Sequence, residues 1–326
     1  MADVLNTVLL VAITTSKMFF PGISIIPNDE AADVKIDGAR SFIVTLQSET
    51  APSGSSYAQL EVPKELGVGE KVSLYIDRRT ENNKEKSQEE IIVDRTPSTK
   101  LYWGCGEAIP EGQPINHNIN ALPEGFLSDL KDKKDYKTLA YWPAIGGRPV
   151  KPSLNIQGNY KLTTNFIGST SFEIDETQKY MDVVKIMNLQ ENPDTKSAMV
   201  IRWRPVEGAR AYLVTANGGN MFENVMWTSS KNKEAANINF RNTPIDDEMI
   251  KKLIEEGVLL SADVTECTIP SGVFDGYLMA LVNIEAIGKD KTINKDGITT
   301  HIITRSNAGA LLFQQIEGPA LDPNAN

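Results

Sequence analysis

MVIRWRPVEGARAYLVTANGG, residues 199–219, is the stretch whose reading decides the fold. In an extended chain Met199, Ile201 and Trp203 fall on one side and Val200, Arg202 and Arg204 on the other, the period-2 pattern of a half-buried strand. Pro205 cannot donate to a ladder and ends it, and Glu207-Gly208 supplies a turn. A second alternating run follows, with Tyr212 and Val214 on one face and Leu213 and Thr215 on the other, closed by Asn217-Gly218-Gly219. The stretch thus reads as a Trp strand, a turn and a Tyr-x-Val strand.

Working outward, short strand-like runs recur on both sides. Residues 42–46, 58–62, 71–76, 91–93 and 100–103 precede it, separated by turns such as Pro52-Ser53-Gly54 and Gly67-Val68-Gly69. Residues 264–269, 277–287, 298–305 and 310–316 follow it. Further strands are expected at 159–166 and 169–174, around Ile167-Gly168, in the first sheet or at the junction. The apolar segment at residues 8–13 has no polar alternation and reads as a strand buried on both faces, with pairing to the edge of a neighbouring molecule as the sharper alternative. It follows no Lys or Arg and is broken by Thr14-Thr15-Ser16-Lys17, so neither a signal peptide nor a transmembrane segment is expected in it. The mixed charges of residues 78–90 read as a solvated loop.

One helix interrupts the strands. Thr243 is expected as its N-cap and Pro244 as its first residue, with Asp246, Asp247 and Glu248 in the first turn and Gly257 beyond its end. Ile245, Met249, Leu253 and Ile254 share a face, so this amphipathic helix should cover a sheet or plug one end of a sandwich.

WRPVEGARAYLV resembles the B and C strands of a fibronectin type III or related immunoglobulin-like sandwich, over residues 181–317. The resemblance implies that Trp203, Tyr212 and Val214 pack between two sheets, and it implies no activity, since such modules serve adhesion, spacing and polymer binding alike. The segment LYWGCGEAIPEGQP is similar to a W-G-C-G-E and G-Q-P pattern of uncharacterised bacterial proteins, which likewise implies none.

The expectation is therefore an all-β protein with two immunoglobulin-like β-sandwich domains and one inserted helix. An N-terminal sandwich occupies 1–104, a Pro/Gly-rich crossover with a two-stranded segment 105–180, a fibronectin type III-like domain 181–317 and a polar tail 318–326. The net charge of −10 disfavours nucleic acid and anionic membrane as partners. Cys105 and Cys267, too few for a disulfide framework, are expected as free thiols, with an interdomain bridge as the alternative.

Catalytic signatures are wanting. His117 and His301 flank no nucleophile motif, the spacing of Cys105, His117, Cys267 and His301 matches no metal template, and Gly104-Cys105-Gly106 lacks the lysine of a phosphate loop. No catalytic residue, metal or cofactor is assigned. Tyr102-Trp103 and Tyr141-Trp142 flank the crossover and either weld it to the domains or form a stacking platform for a polysaccharide or an anchor for a protein partner. The function expected first is a non-catalytic structural, adhesive or assembly protein, extracellular or periplasmic, which could self-associate through edge strands. A carbohydrate- or protein-binding module using those aromatics comes second, and a hydrolase with unlocated carboxylates third.

Overall fold

A computed structural model of the chain describes residues 6–19, 38–77, 98–116, 136–143, 155–188, 196–220, 223–233, 235, 240–277 and 279–313. The first half contributes β1 (Thr7–Phe19), β2 (Ala39–Ser48), β3 (Ala58–Glu61), β4 (Lys71–Ser73), β5 (Tyr75–Asp77), β6 (Ser98–Trp103), β7 (Ile115–Asn116), β8 (Thr138–Trp142), β9 (Gly158–Thr164) and β10 (Ser169–Ile174). The second half contributes β11 (Met199–Arg202), β12 (Ala211–Gly219) and β13 (Glu223–Thr228), then the helix α1 (Asp247–Glu255). It closes with β14 (Leu260–Ser261), β15 (Glu266–Ile269), β16 (Met279–Ile287), β17 (Lys291–Lys295) and β18 (Ile298–Phe313). The protein is mostly β-sheet. Among the described residues no helix is long and apolar enough to cross a membrane.

One twelve-stranded sheet runs β5-β8-β2-β1-β18-β16-β12-β13-β6-β7, with β14 beside β12 and β17 beside β18. Four strands of the second half, β18, β16, β12 and β13, therefore lie between two groups from the first half, β5-β8-β2-β1 and β6-β7. β1 lies in its interior, antiparallel to β2 (Val11↔Val44) and parallel to β18 (Val11↔Ile302). This is the interior strand read from the sequence, and it sets aside the alternative of pairing with a neighbouring molecule: both of its edges are hydrogen-bonded within the chain. β6, read from the sequence with the first group of strands, lies parallel to β13 of the second, with Trp227 opposite Tyr102.

Two smaller sheets cover one face of the large one. In the four-stranded sheet β10-β9-β3-β4, Leu60, Leu162, Phe172 and Ile174 pack against Leu9, Val11, Ile13, Val44 and Ile302. β9 and β10 form the hairpin expected around Gly168, whose φ of 93° is a conformation glycine adopts without strain. In the two-stranded sheet β11-β15, Met199, Ile201, Cys267 and Ile269 pack against Tyr212, Val214, Val282, Ile284 and Leu312. Ile302 and Leu312 stand an even number of residues apart on β18, so both cores lie on the same face of the large sheet.

The deciding stretch folds as read, with one extension. Trp203, next to Tyr212 with ring centroids 5.4 Å apart, is buried with Val214 between the layers, while Arg202 and Arg204 are exposed. Asn217-Gly218-Gly219 does not end the second strand. It stays in register with β13 and β16, because a glycine at 218 leaves room for the Phe274 ring, which a Cβ would approach within 2.8 Å.

β12 is buried on its reverse face too, where Ala211 and Leu213 meet Phe240, Ile250, Leu253 and Val258 in a third core beneath α1. The helix thus covers the sheet, but it starts later than expected. Asp246 is the N-cap, its carboxylate accepting the Met249 N–H at 2.8 Å. The physical reason is that Thr243 and Ile245 are engaged elsewhere: the Thr243 carbonyl accepts from Arg305 and the Ile245 N–H donates to Asp290. Gly257, with φ of 68°, follows the C-cap as read from the sequence. Replacing Asp246 by Ala should cost about 1 kcal/mol, read as a lower urea midpoint at unchanged slope. An unchanged midpoint would show that packing alone sets the helix start.

The strand read at 91–93, the charged loop 78–90, His117, the helix read around 126–130 and the tail lie outside the described residues.

Candidate functional site

The Pro/Gly-rich crossover begins where β6 ends, and it bridges the large sheet and the β11-β15 sheet. The Gly104 N–H donates to Thr228 on β13, and the indole N–H of Trp227 donates to the Gly104 carbonyl at 3.0 Å. Two residues later the chain reaches β15: the Gly106 N–H donates to Thr268, and the Ser271 N–H donates to Glu107. Between these contacts Cys105 is joined to Cys267 by a disulfide, Cα atoms 5.4 Å apart. The expectation of free thiols is thereby corrected. Their separation of 162 residues carried no sign of proximity, which the β13-β6 pairing creates by delivering Cys105 to the mouth of the sandwich.

The returning crossover is clamped as well. The Gln113 side-chain amide accepts the Trp103 N–H at 2.8 Å and donates to the Trp103 carbonyl at 3.0 Å, so one side chain fixes the backbone of the aromatic residue in both directions. Farther along β6, Lys100 pairs with Glu223 at 2.8 Å, and Tyr277 donates its hydroxyl to the same carboxylate. The hydrogen bond from Lys100, then that from Tyr277, holds the Glu223 carboxyl below its usual range.

These restraints frame a cleft of about 500 Å³ between the crossover and the C-terminal end of α1. Trp103 is half-buried in its wall, Ile254, Leu260 and Val264 supply apolar surface, and Glu111 and Lys231 bring opposite charges. Such a mixture suits a ligand with an apolar face and polar edges. Glu111 is the one carboxylate in the described lining, whereas glycoside hydrolysis uses two.

The other aromatics named from the sequence are not brought here. Tyr102 is buried in the core with Trp203. Tyr141 and Trp142 sit on β8, seven strand positions from β6, about 34 Å along the sheet at ~4.8 Å per strand. Trp142 packs edge-on against Phe42 at 6.2 Å, and Tyr141 lies 5.4 Å from Tyr75. The two dipeptides therefore share no single platform. Sequence reasoning missed Gln113 and Lys231; the only local signal was Gln113 lying within the repeated glycines and prolines after Trp103.

His301 on β18 has its Nδ1 2.9 Å from the Thr292 hydroxyl of the neighbouring strand. Among the described residues no group of three or more His, Cys, Asp or Glu side chains is arranged to hold a metal ion.

The class these features define is an all-β protein of layered sheets with a disulfide-framed cleft at one end. No family model, no curated protein and no solved structure matches the chain.

Proposed function

We propose that this protein is a non-catalytic adhesive module, with a fibronectin type III or immunoglobulin-like sandwich in its second half, that binds a short glycan in the cleft beside Trp103. The observation that carries the reading is the fixed presentation of Trp103, held by Gln113 on its backbone and framed by the Cys105–Cys267 bridge. The indole, carried on a fixed backbone, stacks on the C–H face of a sugar, while Glu111 and Lys231 reach its hydroxyls. Disulfides persist in oxidising compartments, which favours a periplasmic or extracellular setting.

The test is a glycan-array screen of the native chain followed by Trp103→Ala on the best glycan. Removing a central aromatic anchor should cost about 2 kcal/mol, roughly thirtyfold in affinity, with the melting curve retained. Trp142→Ala should leave binding unchanged. Retention of full affinity by Trp103→Ala, or its loss only together with folding, would discard the reading.

A further inference from the structure

On the reverse face of the large sheet the apolar layer beneath α1 gives way to polar residues. Thr228, Thr215 and Asn283 stand in one cross-strand row over β13, β12 and β16, and Glu285 lies opposite Leu213 in the adjacent row. Phe240, Arg241 and Asn242 come over them from the segment before α1, leaving a cavity of about 350 Å³.

Glu285 is only 7 % exposed, and its Oε1 is buried without a hydrogen-bond partner. A carboxylate oxygen in that state is costly unless something donates to it. Arg305 cannot: all five guanidinium N–H groups are taken, two by Asp290 and one each by the Phe240, Thr243 and Thr304 carbonyls. Arg241 is exposed at the cavity. Burial pushes the Glu285 carboxyl up, against the opposing fields of Arg305 and Arg241.

We propose that this cavity is a second binding site, for a small uncharged polyol of monosaccharide size whose hydroxyl donates to the Glu285 carboxylate. Threonine hydroxyls and asparagine amides both donate and accept, which matches ligand hydroxyls that do the same, whereas an ammonium group only donates. Arg241 disfavours a cationic ligand and Glu285 an anionic one. The site is independent of the Trp103 cleft, which lies on other residues.

The experiment titrates the full chain with D-glucose, D-galactose and myo-inositol, and with choline and acetate as charged probes, following backbone amide shifts. At least one polyol should bind saturably and move the Thr215 and Asn283 signals. Glu285→Leu should abolish that binding and Glu285→Gln weaken it about tenfold, both variants folding, while Trp103→Ala leaves it intact. The proposal is overturned if no polyol in the panel binds, if choline or acetate binds more tightly than every polyol, or if affinity survives Glu285→Leu. Loss of the polyol on Trp103→Ala instead would assign it to the other cleft.

Discussion

Asp290→Ala should destabilise the protein by about 3–5 kcal/mol, the cost of leaving a buried charge without its partner. Arg305 is completely buried and Asp290 nearly so, with the bidentate pair at 2.7 and 2.8 Å. Asp290 also accepts the backbone N–H groups of Ile245 and Thr304, so its removal orphans two further donors. Two of the remaining bonds of Arg305, to the Phe240 and Thr243 carbonyls, fix the segment that leads into α1 and roofs the Glu285 cavity. Truncating Asp290 should therefore loosen this segment first, seen as faster amide exchange through α1 than in the two sandwich cores. Replacing both partners by apolar residues, Arg305→Met with Asp290→Leu, should recover part of the loss, because the penalty lies mainly in the unpaired ion. Urea denaturation of the two singles and the double decides the matter. A loss below about 1 kcal/mol for Asp290→Ala would mean the pair is solvated and the roof held by other contacts.

Removing the disulfide by Cys105→Ser with Cys267→Ser should cost between about 2 and 5 kcal/mol, because the bridge closes a loop of more than a hundred residues in the unfolded chain. The native side of the effect is local. Cys267 is buried on β15 and Cys105 sits in the crossover, so without the bond the crossover is held by the backbone bonds at Gly104, Gly106 and Glu107 and by the Gln113 clamp. The variant should still fold, with a lower urea midpoint and weakened retention at the Trp103 cleft. Unchanged stability with and without reductant would show that the bridge constrains nothing the topology does not already fix.

Taken together, these variants separate the two proposed sites. Asp290→Ala acts on the reverse face beneath α1, and the serine pair acts at the end of the sandwich. The Trp103 cleft touches the disulfide through Cys105 and the end of α1 through Ile254 and Gly257, so a loosened helix should also reduce glycan retention, though less than loss of Trp103 itself.

What the sequence determined by itself was local. Alternation placed Met199, Ile201 and Trp203 inward and Arg202 and Arg204 outward, because a strand has a period of two whatever lies beyond it. Gly168 and Gly257 marked a hairpin and a helix end because their backbone conformations are hard for other residues to reach. The apolar run at the N-terminus announced an interior strand, though not its neighbours. Tertiary structure alone decided the rest. The parallel pairings of β1 with β18 and β6 with β13 join segments that no turn connects, so no local pattern records them. Those pairings carry Cys105 to Cys267 and separate Trp103 from Trp142. The meeting of Arg305 with Asp290 displaces the helix start to Asp246 and leaves Glu285 without a donor, because a saturated guanidinium has none left to give.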